Sequence, residues 1–333
     1  RPILLSLIRT LFALAVAGTL ALAAFAAWYA LTPVEAQYPA EFRVEPGSGL
    51  RSAARQIEAG GVAVGRIRFE ALVRALGRSQ AIKAGSYELS EAVTPLQLLD
   101  KLTRGDVSQA EQTLIEGWTF RQFRAALESN PALKGELRGL PDDEVLKRIG
   151  ATALHPEGMF FPDTYLFGKG TSEADVLRRA HKAMLVHLAR EWEARDPKVP
   201  YQTPYEALTM ASIVEKETGK PEERDMIAGA LVNRLRIGMR LQVDPTVIYG
   251  LGAAFDGNLR KRDLLADGPY NSYQRAGLPP TPIAMPGLAS LRAALHPAQT
   301  QALYYVSRGD GSSQFSRTLD EHNRAVAKYQ LKR

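Results

Sequence analysis

An unbroken apolar run opens the hydropathy pattern. From Thr10 to Val34 the chain reads TLFALAVAGTLALAAFAAWYALTPV, without one charged residue. A helix crosses a bilayer with about 20 apolar residues, so the run predicts a single spanning helix. Arg1 and Arg9 precede it and place the N-terminus on the cytoplasmic side, with Trp28 and Tyr29 at the outer interface. Small residues at Ala24, Ala26 and Ala27 would suit cleavage of a signal peptide. The run is longer than the roughly 7–15 residues of a signal peptide's apolar region, so a retained anchor is expected. Either way, the rest of the chain is expected outside the cytoplasmic membrane.

Residues 33–40 read as a short linker. Beyond them the period changes. Phe42–Pro46 looks like a strand, then Leu50, Ala53, Ala54 and Ile57 recur at helical spacing until Gly60–Gly61 stop the helix. A second helix runs from about Arg66 to Leu76, with Ile67, Leu72, Val73 and Leu76 expected inward, and AGSYELS alternates like a strand. Strand, helix, helix, strand is also the order of a LysM sugar-binding module. Thr94-Pro95-Leu96-Gln97 is a capping box that starts a helix ending near Gly105. Gln112–Gly117 reads as a strand leading into a helix whose Phe120, Phe123 and Leu127 share one face. From about His155 onward, long helices mix with Gly- and Pro-rich loops. The expected fold class is α+β, in three parts: cytoplasmic stub and transmembrane anchor (1–34), LysM-like βααβ subdomain (35–110), and a catalytic domain of mixed helix and strand (111–333).

Composition narrows the chemistry. The chain has no cysteine, which excludes disulfides, thiolate zinc sites, iron–sulfur clusters, a cysteine nucleophile and a lipoprotein anchor. Its formal charge of +6 is spread along 333 residues without a basic block, so no nucleic-acid arm is indicated. His155, His181, His187, His296 and His322 show no metal-ligand spacing and read as surface or capping residues. Nucleophile-elbow, P-loop and dinucleotide fingerprints are absent, so neither metal nor cofactor is expected.

Carboxylates remain. Thr203-Pro204-Tyr205-Glu206 forms another capping box, so a helix starts there. On a helical wheel Ala207, Ala211 and Val214 centre the buried stripe and Lys216 faces solvent. Glu215 borders the stripe beside Leu208, and Glu217 borders it beside Met210. Both lie near the helix C-terminus, where the dipole disfavours a carboxylate. Apolar surroundings and the dipole would both raise a carboxyl pKa, as a general acid near neutral pH requires. The wheel does not choose between them, and solvated or salt-bridged edge glutamates would show the same pattern. Asp244-Pro245-Thr246 reads as a helix start with Asp244 as N-cap. The stretches Tyr270–Gly287 and His155–Phe167 set Tyr270, Asn271, Tyr273, Phe160, Phe161, Asp163 and Tyr165 among prolines and glycines. Aromatic faces beside amides and carboxylates suit a sugar groove, and equally an ordinary aromatic core.

The strings SIVEKET, NRL, GMRLQVDPTVIYG, YNSY, GLPPTPIAMPG and EGMFFPDTY, in this order apart from the last, closely resemble the YceG-like (MltG) endolytic murein transglycosylases. The resemblance is dense over Glu157–Tyr329 and weaker toward the anchor. It implies a single-pass inner-membrane protein with a periplasmic catalytic domain. It also implies cleavage of the β-1,4 bond between N-acetylmuramic acid and N-acetylglucosamine in nascent glycan strands. The product would carry a 1,6-anhydromuramic end, which would terminate elongation beside the penicillin-binding synthases. One glutamate can suffice, because the muramic 6-hydroxyl is the nucleophile. The resemblance places that glutamate at Glu217, followed by Thr218, with Glu215 the runner-up. It offers Asn233, Asp244, Thr246, Tyr249, Tyr270 and Asn271 as substrate-binding residues. Two other functions fit the same residues: a non-catalytic scaffold that binds glycan or synthase, and a hydrolytic muramidase using Asp244 or Asp163 as second carboxylate.

Overall fold

The computed structural model describes residues 2–152, 155–217 and 220–331. Arg1 and Thr218, both used in the sequence reading, lie outside the described residues. The chain divides into two compact units: residues 1–110 with 166–170, and residues 111–165 with 171–333.

The first unit begins with helix α1 (Pro2–Leu31). Its segment Arg9–Leu31 has a mean hydropathy of 2.1 and is long and apolar enough to cross a membrane. Strand β1 (Ala40–Val44), helices α2 (Leu50–Ala59) and α3 (Arg66–Ala75), and strand β2 (Gly85–Leu89) follow. β1 and β2 pair antiparallel, with Phe42 opposite Tyr87 and their rings stacked. Leu50, Ala53, Ala54 and Ile57 are buried as their spacing predicts. α3 is rotated from the expected phase: Phe69 and Val73 are buried, while Ile67 is 80% exposed and Leu76 45%. The bulkier Phe69 takes the core position, and Gly65 starts the helix from a left-handed conformation. Residues 33–40 are not a loose linker. Val34 is buried in the core, its N–H donates to Val93 O at 2.9 Å, and Ala63 N–H donates to Glu35 O at 2.9 Å. Helix α4 (Pro95–Arg104) carries the full capping box at Thr94 and ends at left-handed Gly105, where glycine avoids the Cβ clash.

Strand β3 (Gln109–Thr113) lies three residues earlier than the expected strand and pairs with β4 (Thr164–Gly168). Only Leu114 of the expected segment is fully buried, and the chain turns at Gly117. The second unit contains helices α5 (Phe120–Ser129), α6 (Asp142–Ile149), α7 (Glu173–Glu193), α8 (Pro204–Glu217), α9 (Arg224–Arg236), α10 (Asp244–Leu251), α11 (Lys261–Leu265), α12 (Leu288–Leu295) and α13 (Leu319–Tyr329). An antiparallel hairpin of β5 (Tyr304–Ser307) and β6 (Ser313–Ser316) precedes α13. α8 is the central helix. Every residue from Ala207 to Val214 is buried, a wider burial than the expected stripe, because α7, α9, α10 and α12 all pack on it. Its start is fixed by Thr203, whose Oγ1 accepts from Glu206 N–H at 3.2 Å. The Glu206 carboxylate reaches back to Gln202 N–H rather than to Thr203.

Candidate active site

Burial of α8 ends abruptly: Glu215 and Glu217 are half-buried and Lys216 is exposed. The two glutamates then diverge. Glu215 Oε2 accepts from Gly287 N–H at 3.0 Å, holding a carboxylate at the N-terminus of α12, where the helix dipole favours it. Its neighbour Glu116 is pushed above the ordinary carboxylate range, first by burial and then by the Glu215 charge. Glu217 instead lines an open cleft of about 360 Å³ together with Arg234, Gln242, Asp244, Tyr273, Tyr304, Tyr305, Leu319 and His322.

Each wall has a structural cause. Arg234 comes from the last turn of α9 and is 7% exposed. Its Nε donates to Leu303 O at 2.6 Å, and a terminal nitrogen donates to Leu241 O. Its guanidinium lies over the Tyr304 and Tyr305 rings at 5.5 and 6.0 Å. Gln242 holds φ at +52°, an unfavourable conformation for a residue with a side chain. Asp244 is not the N-cap of α10. Val243 occupies that position, and Asp244 Oδ1 accepts from the Tyr273 hydroxyl at 2.5 Å. The cap role is lost because the α10 entrance is closed from another side: Ser272 Oγ accepts from Val243 N–H at 3.0 Å and lies 2.8 Å from Thr246 Oγ1.

Glu217 Oε2 accepts from the Tyr305 hydroxyl at 2.8 Å. Its carboxyl is raised above the ordinary range chiefly by burial. The Tyr305 hydrogen bond and the Arg234 charge act downward, and the Asp244 charge acts upward. Tyr305 itself is pushed well above 10 by burial and by Glu217, so it stays a donor. His322 stacks on Tyr304 with centroids 5.2 Å apart. Burial and then the Arg234 charge lower its pKa, and it lines the cleft wall rather than being the surface residue the sequence suggests. A carboxyl raised by burial, beside a second carboxyl group and an aromatic wall, is placed to deliver a proton to an oxygen held in the cleft.

The other sequence candidates are placed elsewhere. Asn233 donates to Thr300 O at 2.8 Å and Ala302 O at 3.1 Å, tying α9 to the segment before β5. Asn271 donates to three carbonyls, those of Asp263, Leu264 and Ala266. Thr246 is fully buried. Tyr249 and Tyr270 form an edge-to-face pair in a separate network, where the Tyr249 hydroxyl donates to Glu157 Oε2 at 3.0 Å. Glu157 also accepts from Phe120 N–H at 2.9 Å. Phe160 is buried against Phe120, and buried Tyr165 donates to Phe161 O, so these rings are core, while Asp163 is exposed. Arg234, Gln242, Tyr304, Tyr305 and His322 were not candidates. Asp310-Gly311 between YYVS and SQFS is the hairpin signal that could have placed the two tyrosines on a strand.

Comparison with known proteins gives the family. The sequence profile of the YceG-like family matches residues 42–328. An endolytic murein transglycosylase of Bacillus subtilis (strain 168) is 33% identical over 319 residues, covering 90% of this chain and 88% of that protein. One of Streptococcus pneumoniae serotype 2 (strain D39) is 27% identical, covering 74% of this chain and 51% of that protein. The crystal structure of a protein from Listeria monocytogenes described as YceG-like superposes with a TM-score of 0.55 at 31% identity, covering 85% of this chain and 97% of that one. The profile spans most of the chain, and it covers both the βααβ unit and every described wall of the Glu217 cleft: this chain belongs to the YceG-like family.

Proposed function

We propose that this protein is an endolytic murein transglycosylase with Glu217 as its catalytic acid and base. The observation that carries the reading is the Glu217 carboxyl, raised by burial at the edge of a cleft walled by Tyr273, Tyr304 and Tyr305. Pyranose rings stack on such faces while hydroxyls meet the polar groups between them. The scissile bond is the β-1,4 link from N-acetylmuramic acid to N-acetylglucosamine within a nascent strand. Protonated Glu217 gives its proton to the glycosidic oxygen as the bond from that oxygen to the muramic C1 breaks. The muramic 6-hydroxyl then closes on C1, and its proton returns to Glu217. No water is consumed, one fragment ends in 1,6-anhydromuramic acid and the other in a free 4-hydroxyl. Tyr305 holds the Glu217 carboxyl in one orientation, and Asp244 keeps it protonated to higher pH.

The rest of the organisation follows the same reading. α1 is a retained single-pass anchor in the inner membrane, N-terminus cytoplasmic. Residues 35–110 form a LysM-like unit, and residues 111–333 form the periplasmic catalytic domain. New anhydro ends stop elongation, so the partners are glycan strands and the penicillin-binding synthases. The test is digestion of uncrosslinked glycan by the detergent-solubilised protein and by its Glu217→Gln variant, with the products weighed. Anhydro-ended fragments that vanish in the variant are expected. Reducing ends would replace this mechanism by hydrolysis through Asp244, and binding without cleavage would leave a scaffold.

A further inference from the structure

One cleft lies within the first unit. It measures about 670 Å³, and its lining includes Trp28, Tyr29, Thr32, Glu35, Glu58 and Arg68, where α1 meets the βααβ unit. We infer that the first turn of α3 beside this cleft docks on lipid headgroup phosphates of the outer leaflet of the membrane that α1 crosses. The inference rests on α1 being a spanning helix.

The depth follows from the join. Arg9–Leu31 is 23 residues, roughly 35 Å at 1.5 Å per residue, against a hydrocarbon core of about 30 Å. Its last turn therefore emerges at headgroup level, with Trp28 56% exposed as an interfacial aromatic. No slack follows. Tyr29 and Val34 belong to the buried core of the βααβ unit, and the Tyr29 hydroxyl donates to Val64 O. The Arg68 guanidinium lies over the Tyr29 ring at 5.4 Å. The start of α3 thus sits at the depth of the Tyr29 ring.

What this turn presents suits a bilayer surface. Arg66 and Arg68 are exposed, and no ion pair involves either among the described residues. Ile67 between them is 80% exposed, a large aliphatic side chain placed where it can enter the acyl boundary while the arginines meet phosphate. Glu58 is already engaged, accepting from Arg66 N–H at 2.7 Å. That neutral donor leaves the Glu58 charge in place, so Glu58 and Glu35 both set a carboxylate in the cleft, which favours a phosphodiester headgroup carrying an amine over bare phosphate.

The absence of native cysteine makes the test clean. Full-length Ile67→Cys and, separately, Leu14→Cys are labelled with an environment-sensitive fluorophore. Each is reconstituted in vesicles of phosphatidylethanolamine and phosphatidylglycerol carrying spin-labelled lipids. Label at 67 should be quenched by spins near the headgroup, and label at 14 by spins deep in the chains. Adding Arg66→Glu and Arg68→Glu should weaken quenching at 67 without abolishing it, because the join to α1 still holds the turn near the surface, and should leave it at 14, since each basic residue at an anionic surface is worth about five-fold in affinity. Quenching at 14 without quenching at 67 would overturn the docking while the spanning helix stands. Quenching at neither would remove both. Quenching at 67 indifferent to the arginine changes would overturn the phosphate contact.

Discussion

Removing the Tyr305 hydroxyl should move the pH dependence of catalysis upward. In the folded protein that hydroxyl donates to Glu217 Oε2 at 2.8 Å, and it stabilises the ionised carboxylate against the burial that disfavours it. A hydrogen bond to a charged group is worth about 1.5–3 kcal/mol, and one pKa unit is about 1.4 kcal/mol. Arg234 still faces the carboxylate in Tyr305→Phe, so the lower end applies and the expected rise is about one unit. In the proposed mechanism Glu217 acts first as an acid, so activity should fall as pH rises through its pKa. In Tyr305→Phe the falling limb of the kcat/KM profile, which reports the free enzyme, should therefore lie about one unit higher. Asp244→Asn supplies the opposite sign. It deletes a charge that pushes Glu217 up, so its falling limb should lie lower. A limb that stays in place in Tyr305→Phe, or moves down, would refute the assignment of Glu217 as the titrating acid. Movement of both variants in the same direction would refute the electrostatic account.

Glu157 offers a stability counterpart: burial raises its carboxyl from an ordinary 4.5 to about 7. The folded state keeps this proton in a window where the unfolded chain releases it, so stability should fall as pH rises from 4.5 to 7. Glu157→Gln should flatten that slope in thermal melts and gain up to about 3 kcal/mol above pH 7. Gly229→Ala should destabilise by about 1–3 kcal/mol in urea titrations, because the new Cβ would lie 2.7 Å from Ala298 O and 2.8 Å from Thr300 Cγ2. Gln242→Gly should gain about 0.5–1 kcal/mol by relieving the +52° φ. Initial rates on glycan should fall in that variant as the cleft loses a lining side chain.

Local chemistry was the legible part of this chain. The capping box at Thr94 and the single cap bond at Thr203 located helix starts to the residue, because caps act between neighbours. Helical spacing likewise identified the buried face of α2. It misjudged α3, where Phe69 outcompeted Ile67 for the core, a choice made by tertiary packing. Asp244-Pro245 carried a sound cap signal, yet the tertiary bonds of Ser272 closed that helix entrance. The EKET string singled out two glutamates, and no wheel could separate them. Their partners, Gly287 for one and Tyr305 for the other, lie 72 and 88 residues away. Motif membership also grouped Asn233, Thr246 and Asn271 with the groove, although their side chains hold loops and helix ends together.

The reach from Glu217 to Tyr305 also bears on how the molecule assembles. Closing a loop of 88 residues costs about 4 kcal/mol of chain entropy beyond a constant. α8 needs no such closure to form its own turns. Tyr304 and Tyr305 are carried by β5, which packs chiefly with β6 and α13. A chain emerging from its N-terminus thus holds Glu217 long before its hydroxyl partner, and the cleft is among the last features to close. Partial products of synthesis that stop short of Tyr305 would carry α8 and lack the hydroxyl partner of Glu217. For an enzyme that cuts its own cell's wall, late closure is a safeguard written into contact order.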